Sequence, residues 1–188
     1  DWFNSKAPSE SILARSAIAH IYFESIHPFE DGNGRIGRVL SEKILSQGVS
    51  HPVLIPISKT LESRKKDYYA ALETCNRSLD AGRWVEFFAH TVIQAHDESM
   101  ALLHFLIAKS KLLTSLAGQL NERQIKALLR MFAEGPEGFQ GGLSANNYIA
   151  ITKATQATAT RDLTDLVEKG ALIKKGELRH TRYYLNLL

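Results

Sequence analysis

Apolar residues recur every three to four positions through most of this chain, the period of helices with one buried face. The first such segment opens at Pro8-Ser9-Glu10, with Ser9 as its N-cap, and carries Ala14, Ala17, Ile18, Ile21 and Tyr22 as a core-facing stripe. Asp1 to Lys6 reads as the end of an earlier helix and a turn. Pro28 disfavours helical backbone at the residue before it, so the helix should stop at His27. A second helix is expected from Gly34 to Gln47 on Ile36, Val39, Leu40 and Ile44, with Gly48 as its stop. Residues 49–57 form a short apolar connector that two prolines bar from a helix interior. Ser58 can cap the following helix, which bears Leu61, Tyr68, Tyr69, Ala71 and Leu72 and fades near Asp80-Ala81-Gly82. Trp84, Phe87, Phe88, Val92 and Ile93 then open a long helix that meets neither proline nor glycine before Gly118.

From Asn121 the elements shorten. Ile125, Leu128, Leu129 and Phe132 mark a helix that ends at Glu134-Gly135-Pro136, and a glycine-rich loop from Gly138 to Gly142 follows. Ser144 caps a short helix with Tyr148, Ile149 and Ile151, and Thr155 to Asp162 opens a third with Leu163, Leu166 and Val167 inside. After Lys169-Gly170, Leu172-Ile173-Lys174-Lys175 and Arg182-Tyr183-Tyr184-Leu185 read as two strands either side of Gly176. The expected fold is mainly α: a helical domain over 1–118, including the long connecting helix, and a small α+β domain over 119–188.

Composition narrows this picture. The chain has 188 residues, 44% hydrophobic and 23% charged, enough for one sizeable or two small cores. No apolar run is long enough for a membrane span. The single cysteine, Cys75, excludes an intrachain disulfide, reads as a buried thiol and fits a reducing cytoplasm. The chain starts at Asp1 without Met, so upstream sequence is expected. Net charge is +3; residues 1–120 balance at 13 basic and 13 acidic, and residues 121–188 carry 10 and 7, so all the excess lies in the C-terminal third. His90, His96 and His104 are spaced by six and eight, which does not suit a metal-binding helix face. His20, two helical turns before His27, reads as a packed structural histidine.

The chemistry concentrates in His27-Pro28-Phe29-Glu30-Asp31-Gly32-Asn33-Gly34-Arg35-Ile36-Gly37-Arg38. A glycine loop running into a helix aims backbone N–H groups and the positive helix end at whatever sits above Gly32 to Gly34, and an anion is the natural guest. Arg35 and Arg38, three apart, share a face and can both grip phosphate oxygens. A carboxylate beside bare phosphate would be repelled, so Asp31 suggests a bridging Mg²⁺. Histidine, with an ordinary pKa of about 6.5, is the natural general base near neutral pH, and His27 heads the loop. The sum is a site for a Mg²⁺–nucleotide that takes a proton from an attacking hydroxyl.

This stretch resembles the signature of the Fic (filamentation induced by cAMP) family, His-x-Phe-x-(Asp/Glu)-Gly-Asn-Gly-Arg-x-x-Arg, at every fixed position. The resemblance implies protein AMPylation: transfer of AMP from Mg²⁺–ATP to a Ser, Thr or Tyr hydroxyl of a target protein, with self-modification also open. It implies His27 as catalytic base, Asp31 as Mg²⁺ ligand, and Gly32, Asn33 and Gly34 as the phosphate cradle, with Ile36 and Gly37 in the same nucleotide-binding turn. Arg35 and Arg38 would hold the β- and γ-phosphates, and Phe29 would anchor the loop in the core. A Tyr-Tyr pair followed by asparagine lies against the nucleotide in that family; Tyr68, Tyr69 and Asn76 match it, and core aromatics with an exposed asparagine remain the alternative. The family's phosphate-transferring toxin branch carries a lysine in mid-loop, where Gly34 keeps the AMP-transfer form. Other nucleotidyl donors, and a DNA-binding regulator with a nucleotide-sensing core, stay open as alternatives.

The C-terminal pattern of three helices and two strands resembles a winged helix-turn-helix domain. Thr155, Gln156, Thr158, Thr160 and Arg161 would then face a DNA groove, and Lys174, Lys175, Arg179 and Arg182 would lie near phosphates, or the same surface would serve a protein partner. The resemblance further implies a homodimer and a target-positioning hairpin upstream of the motif. The family's autoinhibitory Ser/Thr-x-x-x-Glu-Gly/Asn has no match here, since Arg130 and Ala133 stand where Ser or Thr is required.

Overall fold

The computed structural model describes residues 11–47, 55–78 and 80–187. The expected turn at Asp1 to Lys6, the Ser9 cap and most of the connector around His51 and Pro52 lie outside that set. The fold is mainly α, with α1 (Ile12–Ile26), α2 (Asn33–Gln47), α3 (Ile57–Ser63), α4 (Lys65–Ser78), α5 (Gly82–Ser115), α6 (Glu122–Phe132), α7 (Ala145–Thr152) and α8 (Gln156–Glu168) before strands β1 (Leu172–Lys175) and β2 (Arg182–Leu185). Two compact units divide between Met100 and Ala101.

In the N-terminal unit α1 and α2 pack against each other through small and polar residues. The buried face of α1 is Arg15, Ser16, Ala17, Ala19, His20 and Ile21, and that of α2 is Asn33, Gly37, Ser41, Ile44 and Leu45. Ala17, Ile21 and Ile44 are buried as periodicity predicts, but Tyr22 is 70% exposed and Val39 62%, and Ile18 and Ile36 also reach the surface. Small side chains such as Ser16, Ala17, Gly37 and Ser41 let two helices approach closely, and they share the buried faces with Ile21, Ile44 and Leu45. Beneath the seam lies a core built on Trp84, Phe88, Tyr68, Ile57, Leu61 and the buried Cys75. The Trp84 indole donates to the Ala17 carbonyl at 2.7 Å, tying α5 to α1.

The helix expected from Ser58 is two helices. Arg64 separates α3 from α4, and the residue at the α3 N-cap is Pro56, so Ser58 lies inside the first turn rather than capping it. The proline has no N–H to leave unsatisfied, which suits it to a helix start.

The C-terminal unit places α6, α7 and α8 over a two-stranded antiparallel sheet in which Leu172 faces Leu185 and Lys175 faces Arg182. Its core holds Leu128, Met131, Phe132, Leu143, Tyr148, Leu163 and Leu166, all buried. Local chemistry sets its helix starts. Asn121 with Gln124, and Ser144 with Asn147, form reciprocal capping boxes, and the Thr155 side chain accepts from the Thr158 N–H. The carboxylate of Asp162, 4% exposed, accepts from Arg123 Nε at 2.8 Å, Tyr148 Oη at 3.0 Å and Asn121 Nδ2 at 3.2 Å, joining all three helices.

Candidate active site

His27 leaves α1 at Pro28 as expected, but into the left-handed region (φ 49°, ψ 56°) rather than extended backbone. That turn brings its own N–H to the Phe23 carbonyl at 3.0 Å and closes the helix end. The imidazole is thereby carried clear of the helix, and residues 27–31 are all exposed.

The loop that follows is braced by Asn33. Its side chain, 2% exposed in residue terms, accepts from the Phe29 N–H at 3.0 Å and donates to the Phe29 carbonyl. Phe29, expected as the loop's core anchor, is instead 51% exposed with its ring 6.3 Å from that of Phe23. An amide that satisfies both backbone groups of one residue holds a loop more specifically than an aromatic ring can, because each bond fixes a direction. Gly32 takes φ 85°, a conformation side-chain-bearing residues rarely adopt, and its carbonyl accepts from the Ile36 N–H to start α2.

The two arginines bend back over the two glycines. A Cβ placed on Gly32 would lie 3.5 Å from Arg35 Nη2, and one on Gly34 would lie 3.3 Å from Arg38 Nη1. A bare backbone segment at a helix N-terminus is therefore flanked by two guanidinium groups, the arrangement an oligophosphate needs. Arg35 also pairs with Asp31 at 3.1 Å, and the other Asp31 oxygen accepts from the Gly32 N–H. Among the described residues no three His, Cys, Asp or Glu side chains cluster to hold a metal. Mg²⁺ is commonly held by one or two carboxylates together with substrate phosphates and needs no such cluster. Asp31, with a side chain 91% exposed, is the carboxylate at hand.

The remaining expected residues fall in different places. Ile36 points to the surface, and Gly37 faces α1, packed against Glu24, Phe23 and His20. Tyr68 is buried and its hydroxyl meets His20 Nε2 at 3.0 Å, whereas its neighbour Tyr69 is 57% exposed. Asn76 meets the last turn of α1, where Ser25 donates to its side-chain oxygen at 3.2 Å. In the C-terminal unit, Gln156, Thr160, Arg179 and Arg182 line one polar cavity of about 330 Å³ with Ser144 and Asn146. Thr155 caps α8, Thr158 lies in its first turn, Arg161 is exposed, and Lys174 and Lys175 are exposed on β1, all outside that cavity.

Beneath the loop lies a polar network that periodicity does not register. Ser41 donates to the Gly37 carbonyl at 2.9 Å, so its oxygen accepts from His20 Nδ1–H at 3.2 Å, and His20 Nε2 accepts from Tyr68. Burial lowers the His20 pKa to about 4, which keeps the ring neutral. Glu24, one turn before His27, has its carboxyl raised above the usual range by burial, which the nearby His27 and Arg38 charges oppose without cancelling. A carboxylate one turn upstream of a loop histidine is the only sign of it in the sequence.

Compared with known proteins, residues 1–45 match the Fic/DOC family. The protein adenylyltransferase fic-1 of Caenorhabditis briggsae is 36% identical over 77 residues, 40% of this chain and 14% of that protein. The protein adenylyltransferase Fic of Drosophila willistoni is 29% identical over 140 residues, 74% of this chain and 27% of that protein. The chain thus spans about a quarter or less of the length of these relatives. A solved structure of a Fic family protein from Desulfovibrio desulfuricans G20 covers 98% of this chain and 52% of its own, with a TM-score of 0.51 at 26% identity.

Proposed function

We infer that this chain, whose residues 1–45 match the Fic/DOC family, transfers AMP from ATP to a protein hydroxyl. The observation that carries this reading is the pair of guanidinium groups folded over Gly32 and Gly34 beside the exposed His27. The names of the relatives, protein adenylyltransferases, support it. In this reading the substrate hydroxyl oxygen attacks the α-phosphorus, the α–β phosphoanhydride bond breaks, and pyrophosphate leaves. His27 takes the hydroxyl proton, a contribution of about 10²–10⁴-fold. Arg35, Arg38 and the opening N–H groups of α2 stabilise the charge that gathers on the departing pyrophosphate. Mg²⁺, when bound, neutralises phosphate charge, and Asp31 would be its ligand from this chain, released from Arg35. Tyr69 and Asn76 are the residues of α4 available at the surface for the nucleoside, while Tyr68 supports them from the core.

The test is label transfer to protein from ATP labelled on the α- or the γ-phosphate, comparing wild type with His27→Ala, with and without Mg²⁺. The expected result is α-label that requires both His27 and Mg²⁺. Transfer of γ-label alone would replace AMP transfer by phosphotransfer.

A second reading concerns the C-terminal unit. Its shared cavity of Gln156, Thr160, Arg179 and Arg182 favours an anionic guest such as a nucleic-acid phosphate, reached by a winged helix-turn-helix. Electrophoretic mobility shift with random-sequence duplex DNA, lost in Arg179→Ala/Arg182→Ala, is the expected outcome; no shift at low salt would dismiss it.

A further inference from the structure

One acidic side chain near the candidate site has no part in the reaction as written. Glu24 stands on the last turn of α1, and its side chain is only 15% exposed. Its carboxylate leans across the seam onto α2: a Cβ on Gly37 would stand 2.7 Å from Oε1, and one on Gly34 would stand 3.8 Å from it. The same point on Gly34 lies 3.3 Å from Arg38 Nη1. Carboxylate and guanidinium therefore flank one spot on the helix. Each also carries a buried atom without a hydrogen-bond partner among the described residues, Oε1 on Glu24 and Nε on Arg38.

Buried polar atoms are nearly always hydrogen-bonded, and an exception calls for a reason. His20 does not supply one, because both its ring nitrogens are engaged and Nε2 is 3.9 Å from Oε1. An orphaned acceptor on one side of that spot and, on the other, a guanidinium whose Nε is orphaned are set close and not joined.

We propose that Glu24 is the positioning residue for Arg38: its carboxylate accepts from Arg38 Nε and turns the Nη edge of the guanidinium toward phosphate lying over Gly34. The proposal rests on the nucleotide-site reading above. Arginine donates from a rigid plane, so an acceptor behind Nε fixes that plane while leaving both Nη groups for a bidentate grip on phosphate. Placed behind the arginine, the carboxylate is shielded from the phosphates it would otherwise repel. Gly37 belongs to the same device, since a Cβ there would collide with Oε1.

Calorimetric titration with Mg²⁺–ATP and with AMP tests this on wild type, Glu24→Gln, Arg38→Ala and the double variant. Glu24→Gln should weaken Mg²⁺–ATP binding about fivefold, leave AMP binding unchanged, and have no further effect once Arg38 is gone. Arg38→Lys, which keeps the charge but lacks Nε–H, should likewise make Glu24→Gln silent and serves if Arg38→Ala does not fold. Equal weakening for AMP and ATP, an undiminished effect in the Arg38 variants, or wild-type affinity in Glu24→Gln would overturn the assignment while leaving the nucleotide site standing. A wild type that binds neither ligand would overturn the nucleotide-site reading itself, and the assignment with it.

Discussion

Asp162 in the C-terminal unit and Glu24 in the N-terminal unit are both carboxylates withdrawn from water near an arginine, and their surroundings treat them in opposite ways. Asp162 accepts from Arg123, Tyr148 and Asn121, and although burial raises its pKa, those hydrogen bonds outweigh burial and hold the carboxyl below its usual range. Glu24 has an oxygen with no hydrogen-bond partner among the described residues, and burial prevails, raising its carboxyl. The first carboxylate organises three helices and faces no candidate site. The second stands beside the glycine–arginine loop of the candidate site. The carboxylate that ties helices together is fully paired, and the one beside the candidate loop is not, although the C-terminal unit also holds an unpaired oxygen at Asn186.

The sharpest way to break this contrast is to separate activity from stability. His27→Ala should reduce α-label transfer by about 10²–10⁴-fold, with no change in the melting profile, because residue 27 is exposed. A parallel loss of stability would mean that the loop is structural. Asp162→Ala should do the reverse. It strands the buried Tyr148 hydroxyl and should cost about 2–3 kcal/mol in urea unfolding, with label transfer per folded molecule unaltered.

Acid should reach the two units at different pH. His20 has a folded pKa of about 4, below its ordinary 6.5, so the stability that depends on its neutral form is complete above pH 6.5 and drains away as pH falls toward 4. Over that window the loss should approach about 3 kcal/mol. Asp162, whose pKa is depressed, should contribute fully above the ordinary carboxylate range and fail only below it. Tryptophan fluorescence follows residues 1–100 alone, since both tryptophans of the chain, Trp2 and the buried Trp84, lie there, and His20→Gln should flatten its profile between pH 6.5 and 4. An unchanged profile would remove His20 as the acid-sensitive group.

The smallest effect expected has the opposite sign. Glu24→Gln removes an incompletely paired buried charge and should stabilise the N-terminal unit at neutral pH by about 1 kcal/mol or less. Because the folded pKa of Glu24 is raised, that advantage should shrink as pH falls into the ordinary carboxylate range and the wild-type side chain takes up a proton. Destabilisation by Glu24→Gln at neutral pH would place Glu24 with Asp162, among residues kept for stability.

What the sequence determined by itself is local in origin. The helix stop at His27, the turn at Gly32, the cap at Ser144 and the helix starts near Asn121 and Thr155 were legible because each depends on bonds within a few residues. The loop of residues 27–38 was legible for the same reason: its glycines and arginines lie on one short stretch, and Arg35 and Arg38 fold back over Gly32 and Gly34. The tertiary structure decided the rest. It placed Ser16, Gly37 and Ser41 in the α1–α2 seam beside Ile21, Ile44 and Leu45 and left Ile18, Tyr22 and Val39 outside, because close approach of two backbones needs small side chains at the contact. It put Tyr68 in the core and left Tyr69 at the surface, a choice that adjacent identical residues cannot express. It also joined Asp162 to partners 14 to 41 residues away and set Glu24 beside Arg38 across the seam. Those pairings depend on direction and distance in space, and a one-dimensional pattern of polar and apolar positions carries neither.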